Sequence, residues 1–125
     1  MAQNYSMSQS LPYRLGLPAW AFAGWRGRYF TDRPSQLASY ARVFNAVEGN
    51  TTFYGVPTTA TVNRWLAETP PGFRFCFKFP RTITHERRLV DTGAETRRFL
   101  DTLRPLAARL GPFLLQDGLG EELRV

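Results

Sequence analysis

Short runs of alternating apolar and polar residues, each followed by a stretch at helical spacing, recur three times along the chain before a fourth alternating run. The clearest run is 73–79. There Phe73, Phe75, Phe77 and Phe79 share one face, with Arg74, Cys76 and Lys78 on the other, which predicts a β-strand. Weaker strands are predicted at 13–17, 46–49 and 113–116. Behind Ser35, a hydroxyl N-cap following Pro34, Leu37, Tyr40, Ala41 and Phe44 fall at i, i+3, i+4 and i+7, the stripe of a first helix. A second helix is expected over 59–68, turning Val62, Trp65 and Leu66 inward and stopped by Pro70-Pro71-Gly72. A third is expected over 94–110, with Phe99, Leu103, Leu106 and Leu110 on one stripe and Gly111-Pro112 ending it. Pro105 should kink or interrupt this helix. Gly24, Gly27 and Pro34 punctuate a long loop behind the first strand, and 50–57 form the loop behind the second.

Strands alternating with amphipathic helices predict βαβ units and a parallel sheet. A closed (β/α)₈ barrel takes about 250 residues, so the 125 residues here correspond to about half of one. The expected fold class is therefore α/β: three βα units plus a fourth strand of a TIM-like barrel. A small open α/β sheet is the alternative. Residues 1–12 read as a flexible tail, 13–116 as the partial barrel and 117–125 as a divergent C-terminal tail.

Composition narrows the class. Hydrophobic residues make up 43% and aromatic residues 14%, enough to argue against a disordered chain. The net charge of +6 and a pI near 10.2 invite a nucleic-acid reading. The positive charge is nevertheless scattered: Lys78 is the only lysine and the other basic residues are arginines spread along the chain, as on a solvated surface. Cys76 is alone, which excludes an intrachain disulfide and a cysteine metal site; among apolar neighbours it reads as a buried, inert thiol. The opening residues lack the apolar core of a signal peptide, and no stretch has the length of a membrane span, so a cytoplasmic location and no membrane partner are expected.

Parallel α/β folds bind ligands beyond the carboxyl ends of their strands. Glu48, Lys78 and Gln116 end predicted strands two, three and four. If the phenylalanines of strand three face the helices, Arg74, Cys76 and Lys78 face the barrel interior, and the same parity turns Ala46, Glu48 and Asn50 inward. Glu48 and Lys78 are then expected close enough to pair. Such a pair could act as general base and electrostatic stabiliser, or clamp a substrate; equally, it could be a structural salt bridge plugging the barrel mouth. A neighbouring carboxylate argues against a Schiff-base role for the amine. His85, the only histidine, sits just past strand three, where barrels place catalytic loops, although a surface or capping role is the plainer alternative. With no second histidine, no metal and no cofactor are expected.

Loop one carries Trp20, Trp25, Arg26, Arg28 and Tyr29. Aromatics interleaved with arginines suit a stacking platform with guanidinium forks for an anion; the alternative is a hydrophobic lid, the favoured reading for Trp20. Asn50, Thr52 and Tyr54 could hydrogen-bond a polar ligand, and turn chemistry accounts for the first two equally well. The candidate catalytic set is thus Glu48, Lys78 and His85. The candidate substrate-binding set is Trp20, Trp25, Arg26, Asn50, Thr52, Tyr54 and Gln116.

Several segments together resemble the YecE-like family, domain of unknown function 72. They are Trp20 with Gly24-Trp25-Arg26-Gly27-Arg28-Tyr29-Phe30, Phe44-Asn45-Ala46-Val47-Glu48-Gly49-Asn50-Thr51-Thr52-Phe53-Tyr54, Thr61-Val62-Asn63-Arg64-Trp65, Thr69-Pro70-Pro71-Gly72-Phe73-Arg74-Phe75, Lys78-Phe79-Pro80-Arg81 and Ile83-Thr84-His85. The similarity runs from about Leu15 to Gln116, about half of the usual domain. It implies a (β/α)₈-like barrel with Glu48, Lys78 and His85 among the residues the family's motifs single out. Similar barrels include metal-dependent sugar isomerases and abasic-site endonucleases, so a phosphate- or nucleic-acid-related role is implied by analogy. Two departures stand out. Leu17-Pro18-Ala19 replace the small hydroxyl residues and glycine expected after Gly16, and Asp117 to Val125 does not continue the family pattern; the latter reads as a premature or frameshifted end.

The chain supports three functional expectations. An intact parent would bind a small anionic or nucleotide-like ligand at the strand ends through Glu48, Lys78 and His85. The chain alone would be a non-catalytic fragment that self-associates or takes a partner through open sheet edges. Third, the loop-one arginines would bind nucleic acid electrostatically.

Overall fold

The protein is described by a computed structural model covering residues 11–25, 27–29 and 35–116, with the backbone of 122–124. Three strands, β1 (Gly16–Leu17), β2 (Ala46–Gly49) and β3 (Arg74–Phe77), form a parallel sheet in the order β1-β2-β3. Helices α1 (Gln36–Val43) and α3 (Thr59–Glu68) return the chain between them, and α4 (Gly93–Thr102) follows β3. β4 (Leu114–Gln116) continues the sheet beside β3 through single parallel bridges, Phe75 to Leu110 and Lys78 to Leu114. The Gly111 and Phe79 amides donate to Phe75 O and Leu114 O, both at 2.8 Å. These parallel βα units are the expected α/β arrangement, that of part of a (β/α)₈-type barrel.

Alternation divides the sheet into two unlike faces. Phe73, Phe75 and Phe77 are fully buried with Val47 under the helices, where Trp65 of α3 stacks on Phe77 at 5.4 Å and Phe75 at 6.3 Å. Leu37 and Tyr40 of α1 and Phe99 of α4 join the same core. The opposite face carries Glu48, Arg74 and Cys76, all half-buried. Cys76 is thus on the face that parity gives it, but half-buried rather than buried as expected.

Several elements depart from expectation. β1 is two residues long rather than five, because the Asn45 side chain replaces part of its ladder: Leu15 N–H donates to Asn45 Oδ1 (2.6 Å) and Asn45 Nδ2 donates to Tyr13 O (2.7 Å). The loop after β2 contains a helical turn, α2 (Thr51–Tyr54). The third predicted helix breaks in two, α4 ending at Thr102 and a 3₁₀ segment running Arg104–Arg109 with Pro105 in its first turn, as a missing N–H dictates. Arg109 in that segment donates to Leu66 O and to Thr69 Oγ1 (3.1 Å), occupying a carbonyl at the end of α3 where a cation is favoured. Within the expected C-terminal tail, β5 (Glu122–Arg124) pairs antiparallel with β4, Leu114 opposite Arg124 and Gln116 opposite Glu122. The expected flexible tail falls outside the described residues up to residue 10.

Tyr40 does more than fill the core. Its hydroxyl accepts from Leu17 N–H (2.6 Å) and donates to Ala46 O (2.7 Å), joining β1 to β2 through a helix side chain. Burial raises its pKa from 10.0 to about 12, against the lowering effect of the Leu17 hydrogen bond. The folded state thus holds this proton more tightly than the unfolded chain. The associated stability, about 2–3 kcal/mol, is fully present below pH 10 and is lost as pH rises through about 12. Denaturant titrations across that window should show stability falling with pH, and Tyr40→Phe should flatten this portion of the slope. An unchanged slope would mean that the phenol does not hold its proton this way.

Candidate functional site

The rim at the carboxyl ends of β2, β3 and β4 is assembled by backbone pairing. Because β2 and β3 are parallel with Glu48 opposite Cys76 and Gly49 opposite Phe77, Lys78 stands one step above Glu48. Its backbone N–H donates to Gly49 O at 3.1 Å. Both side chains belong to the helix-free face, as parity predicts. They do not pair as expected: the Lys78 ammonium donates to Gln116 Oε1 at 2.6 Å and lies 4.3 Å from the centre of the Phe53 ring. The ion pairs among the described residues do not include Glu48 with Lys78. The register offset puts Cys76, not Lys78, level with the carboxylate.

Gln116, one of the expected substrate contacts, accepts this hydrogen bond and steadies Lys78. Charge-assisted hydrogen bonds and cation–π contacts both fix an ammonium without neutralising it. His85 lies in the π-helical turn Thr82–Glu86 after β3. Its Nδ1 is 2.8 Å from Thr84 Oγ1, and its ring meets Phe53 edge to face at 5.1 Å and 81°. Phe53, in α2, therefore touches both Lys78 and His85. Sequence reasoning missed it because a phenylalanine in a short loop carries no periodic signal.

The remaining candidates divide. Trp20 is a packing residue: its ring meets Trp65 at 5.3 Å and Phe75 at 6.3 Å, on the helix side of the sheet. Thr52 is fully buried, its hydroxyl directed at Lys78 O (2.6 Å) and Gly49 O (3.2 Å), where it satisfies carbonyls at the strand ends rather than meeting a ligand. Asn50 donates to Pro18 O (3.0 Å) and anchors loop one over β2. Tyr54 is 76% exposed beside Phe53. Trp25 packs on Phe22 at 5.5 Å in a short 3₁₀ turn, Arg28 lies over Tyr29, and Arg26 falls outside the described residues.

Two cavities lie elsewhere. One of about 660 Å³ is lined by Thr59, Thr82, Ile83, Arg98 and neighbours between α3, α4 and the turn after β3. The other, about 410 Å³, is lined by Tyr13, Arg14, Asn45 and Gly72 near the opposite ends of the strands. Neither is lined by Glu48, Lys78 or His85. Among the described residues no three His, Cys, Asp or Glu side chains gather to hold a metal ion, and no helix is long and apolar enough to cross a membrane.

Comparison with known proteins agrees with this architecture. The chain is 44% identical over 102 residues to UPF0759 protein YecE of Escherichia coli K12, covering 82% of this chain and 36% of that protein. A crystal structure of a DUF72 family protein from Thermotoga maritima MSB8 superposes with a TM-score of 0.66 at 27% identity, over 83% of this chain and 44% of the other. Another, from Enterococcus faecalis V583, gives 0.65 at 31% identity over 83% and 39%. The chain thus spans well under half the length of these relatives. The family described as "Protein of unknown function DUF72" matches residues 14–117, and with the parallel half-barrel described above this shows that the chain belongs to the DUF72 family.

Proposed function

We propose that the rim bearing Glu48, Lys78 and His85 is the binding site for a small anionic or nucleotide-like ligand in the family-length barrel. The observation that carries this reading is the placement of Lys78. The chain's one lysine stands at the carboxyl end of a parallel strand, held by Gln116 and Phe53 rather than by a carboxylate. An ammonium fixed in this way keeps its net charge available to an anion. Glu48, one step lower on the same face, is suited to accept a hydroxyl proton from the same ligand, as a general base or an orienting acceptor. Electrostatic nucleic-acid binding by loop one is the weaker reading, because Arg28 lies over Tyr29 and Trp25 is packed on Phe22.

The test uses a full-length family member with the glutamate and lysine that match Glu48 and Lys78. AMP or ribose 5-phosphate at about a hundred times its Kd should stabilise that protein by about 2.7 kcal/mol, a rise of several degrees in Tm. Glu48→Gln should abolish the rise while leaving the unliganded Tm nearly unchanged. Equal stabilisation of the variant and the parent would remove Glu48 from the site.

A further inference from the structure

Phe53 gives the rim a finer arrangement, which deepens the binding site proposed above and rests on it. The only lysine and the only histidine of the chain lie against one phenyl ring, the ammonium 4.3 Å and the imidazole 5.1 Å from its centre. Each group has part of its polar capacity committed. An ammonium has three donors; one goes to Gln116 Oε1, and the π face of Phe53 takes up another side. The imidazole has Nδ1 beside the Thr84 hydroxyl, leaving Nε2 as its other polar atom. Pro80 O already accepts from the Ile83 and Thr84 amides at 3.0 and 3.2 Å. The Thr84 hydroxyl also reaches Pro80 O, at 3.4 Å, but its 2.8 Å contact with Nδ1 is the shorter; donating there, it puts the ring proton on Nε2 and makes that nitrogen a donor.

We infer that the remaining Lys78 N–H and His85 Nε2–H bind two oxygens of a single phosphate group, and that Phe53 is the positioning residue setting their separation. A tetrahedral phosphate suits this pair better than a planar carboxylate does. Neither donor has the parallel fork of an arginine, whereas two separate point donors can reach different oxygens of a tetrahedron. Thr52 places the phenyl ring: its hydroxyl ties α2 down to Lys78 O at 2.6 Å, so the turn bearing Phe53 is fastened to the strand end bearing Lys78.

Sole lysine and sole histidine are also spectroscopic reporters. In the 125-residue chain, inorganic phosphate is titrated at constant pH and ionic strength against chloride, following the His85 ring and Lys78 ε-methylene NMR signals. Both signals should shift and saturate at the same phosphate concentration, with no such response to chloride. Phe53→Leu, which removes the π face, should raise the midpoint by about threefold and separate the responses of the two signals. Phe53→Tyr should keep the parent midpoint, which also covers the case of Phe53→Leu failing to fold. Non-saturating shifts, or saturation of the two signals at different midpoints in the parent, would overturn the shared phosphate site. A normal midpoint in folded Phe53→Leu would overturn the role of Phe53 alone. Neither outcome touches the Glu48-dependent stabilisation of the full-length protein, which tests the rim separately.

Discussion

Phe75→Ala is expected to destabilise the chain by about 3–5 kcal/mol, a large part of the roughly 5–15 kcal/mol that holds a typical domain folded. Phe75 is wholly buried, at 0% exposure. Its ring lies 5.0 Å from Phe73, 5.1 Å from Phe77 and 6.3 Å from both Trp20 and Trp65. Removing it opens a cavity between the sheet and α3 that large rings on every side cannot collapse to fill. Cys76→Ala, one residue along and on the helix-free face, is the comparison and should cost far less. Urea denaturation followed by circular dichroism decides between them: a loss for Cys76→Ala as large as that for Phe75→Ala would mean that the two faces are assigned wrongly.

The second large effect concerns the backbone. A methyl group at Gly16 would lie 2.1 Å from Ala46 O and 2.5 Å from its carbonyl carbon, both on the paired strand β2. Main-chain atoms cannot rotate aside as a side chain can, so Gly16→Ala should force β1 away from β2. With β1 go the Leu17 N–H to Tyr40 hydroxyl bond and the Asn45 side-chain pairing with 13–15. The expected cost is about 1–3 kcal/mol, with faster amide exchange at Leu15 and Leu17. At Gly55, where an added methyl would meet nothing within 4 Å, alanine should be neutral or slightly stabilising. Protected Leu17 exchange in Gly16→Ala would contradict the close approach of the two strands.

Much of this architecture was legible in the sequence. The phenylalanine alternation over 73–79 identified β3 and its two faces, and the spacing of Val62 and Trp65 identified α3. The parity argument placed Glu48 and Lys78 on the helix-free face, where burial and pairing put them. Pro105 marked the point where the third helix gives way to a 3₁₀ segment. These features are local: period, capping and a missing amide proton act within a few residues, so a linear reading captures them.

Side-chain partners are another matter. Parity specifies a face but not the register between strands, and one step of offset moved Lys78 from Glu48 to Gln116 and Phe53. Thr52 was a plausible ligand contact by residue type, yet its hydroxyl goes to a strand-end carbonyl, while Trp20, for which packing was the favoured reading, joins the aromatic core. Asn45 shortened β1 by standing in for a strand, and β5 added a partner to β4 that the divergent tail did not announce. The sequence alone determined the parallel βα order and which residues could face a ligand, because both arise from periodicities in a single chain. Which of those residues meet was decided only by tertiary structure, since a contact between positions 78 and 116 depends on how two strands slide past each other, a quantity that no local pattern encodes.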